Sequence, residues 1–322
     1  MDVPPTPSTP AIEARGLVKR FGETTALAGL DLSVPQGGCF GLLGPNGAGK
    51  TTTLHILTTL ARPDAGEALL LGRDVVEERS AVRRDVGIVF QESTLDPELT
   101  PREHLELYAR LYHLAEPRTR VAEMLELVGL TDSAERPVRQ LSGGMRRRLE
   151  IARGILHAPR VLFLDEPTLG LDVAARRTIW EYLRALRERE GTTVFLTTHY
   201  LEEADALCER VAILDRGRVV ACDAPEALKA ALGGDVVRIA LARAGKARER
   251  LASVAGVREA VLEESDADEA PTLRITVTDG PQRLATLLDA VREFEVLEVT
   301  LRRPSLEHVF LHHTGHPFEI LE

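Results

Sequence analysis

The chain has 322 residues, 44% hydrophobic and 28% charged, an ordinary soluble globular composition with length enough for two domains. Fifty acids against 40 bases give a net charge of −10, which argues against a nucleic-acid partner, since such partners are met by a basic stripe. Cys39, Cys208 and Cys222 lack metal-ligand spacing and read as reduced thiols, and no apolar run reaches the roughly 18 to 20 residues that cross a bilayer.

Residues 1–10 are proline-rich, without the apolar centre of a signal peptide, and read as a flexible tail. Ile12–Leu17 and Gly29–Val34 alternate, as strands of an antiparallel subsheet do. Cys39–Leu43, Val86–Phe90, Val161–Leu164, Thr193–Thr197 and Val211–Leu214 are continuous apolar runs, the pattern of a parallel sheet covered on both faces. Thr51–Leu60 reads as a helix. Between Pro101 and Gln140 only helical spacing is present (Leu105, Tyr108, Leu111 and Tyr112, then Val121, Leu125 and Val128), which places a helical subdomain over about 92–140. The first domain then covers 11–228, a linker 229–235, a second domain 236–312 and a tail 313–322. In the second domain the order is strand Val236–Leu241, helix Lys246–Val254, strands Val257–Leu262 and Thr272–Thr278, helix Gln282–Arg292 and strand Val296–Leu301. An acidic turn over 263–269 separates the middle strands, and helix Leu306–His312 follows. This β-α-β-β-α-β order predicts a small ferredoxin-like α+β domain.

Chemistry concentrates in the first domain. Gly44-Pro45-Asn46-Gly47-Ala48-Gly49-Lys50-Thr51 fits G-x-x-x-x-G-K-[ST], between an apolar strand and a helix. Its glycines let backbone N–H groups close on phosphate oxygens, and the following helix offers its positive end. Lys50 would reach the outer phosphates, and the Thr51 hydroxyl would sit on Mg²⁺. Val161–Glu166 is an apolar strand that ends in two carboxylates, where open α/β sheets bind ligands. Asp165 would hold the metal, and Glu166 would polarise the attacking water. Leu141-Ser142-Gly143-Gly144-Met145, 23 residues before Asp165 (165 − 142), opens a second helix and is a second anion site. A nucleotide held by Lys50 does not need it, so it would serve a nucleotide on another subunit. Ser142 also reads as that helix's N-cap. Gln91 and His199 each follow an apolar strand, at the edge of the sheet that carries the phosphate loop.

On these residues the chain resembles the ATP-binding subunit of ABC transporters: Gly44–Thr51 match Walker A, Gln91 the Q-loop, Leu141–Met145 the signature, Val161–Glu166 Walker B, Leu169–Asp172 the D-loop and His199 the H-loop. Phe21 matches the aromatic that stacks on adenine. More narrowly, 141–149, 198–205 and 304–310 resemble the daunorubicin-resistance type of exporter ATPase, whose membrane partner is of the ABC-2 class. Met145 stands where many ABC proteins have Gln, and Gly170 where Ala is commoner.

The resemblance implies a P-loop NTPase fold with an antiparallel subsheet, a helical subdomain and the extra C-terminal domain. It implies ATP and Mg²⁺ as cofactors, with the metal at Thr51, Gln91 and Asp165. Two copies would pair head-to-tail, each ATP held by Lys50, Thr51 and Thr52 of one copy and faced by Ser142, Gly143 and Gly144 of the other. Gln91 would sense metal and water, His199 would contact the γ-phosphate, and Asp172 would act across the interface. A separate permease would meet 92–112 and keep the protein at the inner face of the cell membrane, on the cytoplasmic side. The alternatives are a non-transport ABC ATPase, an importer, and a module that binds ATP without turnover.

Overall fold

The computed structural model describes residues 9–243, 245–263 and 270–316. The expected tails fall in part outside them, at 1–8 and 317–322, and so do residues 264–269 of the acidic turn. The chain divides into two compact units between Cys222 and Asp223.

The first unit opens with two long strands, β1 (Ile12–Phe21) and β2 (Thr24–Val34), paired antiparallel with Ile12 opposite Val34. β3 (Cys39–Leu43) leads into α1 (Lys50–Leu57), and β4 (Ala65–Leu70) and β5 (Arg73–Asp74) complete a four-stranded sheet of order β2-β1-β4-β5. α1 stops before Leu60 because Thr59 takes a positive φ of 67°. β4 was not among the expected strands. Its sequence AGEALL lacks β-branched residues, and the pairing with β1 supplies what propensity does not.

After α2 (Arg79–Asp85) and β6 (Val86–Val89) the helical subdomain begins. α3 (Pro101–Leu111) starts on a capping box: Glu103 N–H donates to the Thr100 hydroxyl at 3.2 Å, and Thr100 N–H to the Glu103 carboxylate at 2.8 Å. α4 (Pro117–Leu127) and α5 (Gly143–Ile155) follow. Then come β7 (Val161–Asp165), α6 (Val173–Glu190), β8 (Thr193–Thr198), α7 (Leu201–Leu207), β9 (Arg210–Asp215) and β10 (Arg218–Asp223). The central sheet has the order β10-β9-β3-β8-β7-β6, with β9, β3, β8, β7 and β6 parallel. Every residue of β3, β7 and β8 is buried, which is why these strands read as unbroken apolar runs. Phe195 stacks on Phe40 at 5.7 Å between ring centres and meets Phe163 at 5.4 Å, fixing three adjacent strands whose carboxyl ends form the site.

The second unit starts with α8 (Pro225–Ala231), so the linker expected at 229–235 shrinks: α8 runs to Ala231 and β11 (Asp235–Leu241) begins at Asp235. The Pro225 start and its fixed φ favour the helix there. α9 (Ala247–Ala252), β12 (Val257–Leu262), β13 (Thr272–Val277), α10 (Gly280–Val291), β14 (Val296–Arg302) and α11 (Leu306–Thr314) follow. The antiparallel order β12-β13-β11-β14 is that of a ferredoxin-like sheet. Val237, Ile239, Leu273 and Ile275 on one face pack with Leu251 of α9 and Leu287 of α10, so the unit has its own core.

Candidate nucleotide site

The loop between β3 and α1 is set by contact rather than by charge. A Cβ at Gly44 would lie 2.5 Å from the Leu214 carbonyl oxygen. Gly49 has φ 110°, and a Cβ there would meet the Ala26 carbonyl at 2.6 Å. Both positions therefore exclude side chains, and the loop folds tightly enough to present its backbone. Gly49 caps α1 without a side-chain acceptor, which leaves the first amides of the helix open for an anion.

Lys50 is the first residue of α1 and only 6% exposed. Its ammonium donates to the Gly44 carbonyl at 2.8 Å and the Pro45 carbonyl at 3.3 Å, and stands 3.8 Å from Glu166 Oε1. Burial lowers its pKa below the usual lysine value, against the opposing pull of Glu166 and Asp165. The Thr51 hydroxyl lies 3.4 Å from Asp165 Oδ2, and the other carboxylate oxygen, Oδ1, accepts from the Thr197 hydroxyl at 2.5 Å. A hydroxyl and a carboxylate so close form a donor set that suits a hard divalent cation.

Glu166 follows the last residue of β7 and has φ 48°, the left-handed region, which costs a non-glycine residue roughly 1–2 kcal/mol. Its N–H donates to the Thr197 carbonyl at 3.1 Å and hydroxyl at 3.2 Å. Its Oε2 pairs with His199 Nδ1, while the buried His199 Nε2 has no partner among the described residues and is open to another group. Tyr200 packs against the His199 ring and carries the Arg176 guanidinium 3.9 Å from its own ring centre.

These groups line a cavity of about 670 Å³. Of the residues expected at the site, Pro45, Asn46, Gly47, Gly49, Lys50, Thr51, Thr52, Gln91, Glu166 and His199 line it, joined by Thr24 and Ala26 of β2 and by Leu169, Gly170 and Tyr200. Ala48 does not line it: its side chain is buried and faces Gly44. Gly44 stands behind the loop, against Leu214. Phe21 is not among the lining residues either. It is 56% exposed at the end of β1, with the Lys19 ammonium 5.5 Å from its ring centre. Ser142, Gly143, Gly144 and Asp172 lie away from this cavity. Ser142 caps α5 through Met145 N–H at 3.2 Å, and Asp172 caps α6 through Ala175 N–H at 2.8 Å, both being exposed. Thr197 was missed in the sequence. Its signal was a hydroxyl two residues before His199, just after the apolar stretch Val194-Phe195-Leu196.

A sequence model described as ABC transporter matches residues 27–169, and one described as ATP-binding protein DrrA1-3-like, C-terminal domain, matches 224–314. The Daunorubicin resistance ATP-binding protein DrrA3 of Streptomyces coeruleorubidus is 47% identical over 95% of this chain and 96% of its own length. The chain belongs to the ABC transporter ATP-binding proteins of the daunorubicin-resistance type. The Nod factor export ATP-binding protein I of Ralstonia nicotianae is 43% identical over 97% of both chains. Among solved structures, a dimeric ATP-binding cassette in a post-hydrolysis state with ADP and Pi is 31% identical, with a TM-score of 0.61 over 66% of this chain and 98% of that one. The cbiO1 subunit of a Clostridium perfringens ABC transporter is 27% identical, with a TM-score of 0.65 over 69% and 91%. This ABC protein is thus an ATP-binding chain.

Proposed function

We propose that the chain is the ATP-hydrolysing subunit of an exporter, that it pairs head-to-tail with a second copy around two Mg-ATP, and that it drives a separate ABC-2 type permease. The observation that carries this reading is the closure of Lys50, Thr51, Glu166 and His199 on one cavity, with Asp165 behind Thr51 at 3.4 Å, while Ser142 opens a different helix and does not line it. A chain that only held ATP would have no use for a buried acid paired to a histidine. The DrrA and Nod factor relatives, named for drug resistance and export, support a drug, antibiotic or lipid-like substrate.

In this reading the loop amides and Lys50 bind the triphosphate, and Thr52 adds its hydroxyl. Thr51, Asp165 and Gln91 would hold Mg²⁺, which supplies charge neutralisation at the phosphates. Glu166 orients the attacking water and accepts its proton, and His199, fixed through Nδ1, turns Nε2 toward the γ-phosphate. Positioning and charge do the work, without a covalent intermediate. Ser142, Gly143 and Gly144 of the second copy close on the γ-phosphate, so hydrolysis releases the pair. Asp172, exposed at the start of α6, contributes across that interface, and Phe21 presents its open ring to adenine.

The permease would dock on a groove of about 390 Å³ lined by Leu60, Phe90, Thr94, Tyr108 and Tyr112. Leu107 and Leu111, exposed on the helix α3 that carries Tyr108, add apolar surface. Among the described residues no helix is long and apolar enough to cross a membrane, so the proposed seat at the inner membrane face depends on that partner.

The test is Glu166→Gln. Mg-ATP binding should persist, turnover should fall by about a hundredfold or more, and the ATP-bound dimer should live longer. Wild-type turnover in this variant would remove Glu166 from its role.

A further inference from the structure

The signature helix α5 buries an arginine whose bonds beyond its own helix lead to the site. Arg147 is 7% exposed. Its Nε donates to the Pro167 carbonyl at 2.7 Å. One terminal nitrogen donates to the Phe90 carbonyl at 2.5 Å and to Glu150 Oε2 at 2.8 Å. The other donates to the carbonyls of Asp165 at 3.0 Å and Glu166 at 3.1 Å. One planar cation therefore grips three consecutive carbonyls, 165 to 167, and a fourth that belongs to the residue just before Gln91. Of these acceptors only Glu150 lies on α5, so the helix does not need the rest in order to form.

What the guanidinium grips is a strained point of the chain. Glu166 sits at φ 48°, with its N–H held by Thr197. Arg147 holds the carbonyl side of the same residue, so the two peptides that flank Glu166 are both pinned. A backbone in this region persists only when its surroundings over-determine it. The rotation of those peptides sets where the Glu166 carboxylate points, and hence its reach to His199 and to the cavity.

We propose that Arg147 is a positioning residue: it fixes the left-handed backbone of Glu166 and locks that geometry to the strand end before Gln91 and to the helix that carries Ser142. The inference rests on Glu166 being the water-orienting group. A lysine keeps the charge, but a flexible point donor cannot span carbonyls on two strands as a planar fork does. Glu150, 4% exposed and bonded to Arg147, balances the buried charge.

Arg147→Lys tests this, and the neutral pair Arg147→Gln/Glu150→Gln decides if the first variant does not fold. The melting temperature should fall, because buried carbonyls lose donors, while the equilibrium affinity for ATP should stay near wild type, with KM little changed. The kcat should fall about ten- to a hundredfold, the cost of misplacing a reacting group. In a Glu166→Gln background the same change should leave the residual turnover as it is, because there is no carboxylate left to aim. Wild-type kcat in the folded variant overturns the proposal. So does an equal loss in the Glu166→Gln background, or a fall in ATP affinity that matches the fall in rate. Full turnover in Glu166→Gln alone would instead overturn the reading of Glu166 itself.

Discussion

The Thr197 hydroxyl donates to Asp165 Oδ1 at 2.5 Å and accepts from the Glu166 N–H at 3.2 Å, so one side chain of β8 fixes both acids at the end of β7. Asp165 and Thr197 are register partners in the parallel pair, which makes this contact a product of the sheet rather than of a loop. Thr197→Val keeps the shape and removes the hydroxyl, which leaves Asp165 short of a buried donor. The variant should lose roughly 1–3 kcal/mol of stability and a larger share of kcat than of ATP affinity. A thermal melt and steady-state ATPase kinetics would check it, and an unchanged kcat would deny Thr197 any part in aiming the acids.

Lys50 gives a pH dependence of known sign. Its folded pKa is lowered from 10.5, by burial first, with Glu166 and Asp165 pulling the other way. The nucleotide-free site therefore gives up its ammonium proton at a lower pH than an exposed lysine would, and only the ammonium attracts phosphate. ATP affinity should weaken as pH rises toward 10.5, before ordinary lysines titrate. Lys50→Arg, charged throughout, should bind more weakly but lose this alkaline decline. Titrations of affinity against pH for the two proteins would decide it.

A stability effect is expected at acid pH from His157. The ring stacks on Tyr112 at 3.9 Å, and its Nε2 meets the Val86 carbonyl at 3.0 Å, while Nδ1 is buried without a partner among the described residues. Burial lowers its pKa from 6.5, the Val86 bond opposes this, and the Arg120 charge lowers it further. The folded protein thus disfavours the charged ring. As pH falls below 6.5 the unfolded chain takes up a proton that the folded one resists, and stability drops. His157→Gln retains a donor for Val86 and should flatten that part of the curve. Denaturant midpoints on either side of pH 6.5 would measure it, and an equal slope in both proteins would count against the assignment.

The two-copy reading predicts a separation of functions at Ser142. The residue is exposed and away from its own chain's cavity, so Ser142→Arg should leave ATP binding by the single chain intact. In a Glu166→Gln background it should abolish the ATP-bound dimer, read by sedimentation. Dimerisation that survives the bulky cation would mean that the pair forms by another face.

Much of this was legible because the first unit is built from buried parallel strands. β3, β7 and β8 have no polar face, so their sequences stand out, and each ends in a residue that reaches the site or opens its loop. The phosphate loop, Glu166 and His199 follow from that layout. β4 and β5 were not legible, because their pairing with β1 and with each other, not their composition, makes them strands. Thr197 and Arg147 escaped for a different reason. Their roles lie in the partners across the sheet and at the end of a neighbouring strand, and spacing along one chain does not reveal such partners. Nothing in the run Arg146-Arg147-Arg148 sets its middle residue apart, whereas burial does. Ala48 shows the reverse case: it belongs to the motif, yet its methyl packs inward.

The handedness of the backbone at Glu166 also ranks what can replace it. A β-branched residue would carry a larger strain there than the acid does, and glutamine inherits the same torsional burden as the acid. Glycine alone would be relaxed at that angle. A position where the chain would relax by losing its side chain is thus one where, on the proposed role of Glu166, it would forfeit turnover, so selection for robustness and selection for work point in opposite directions at a single residue.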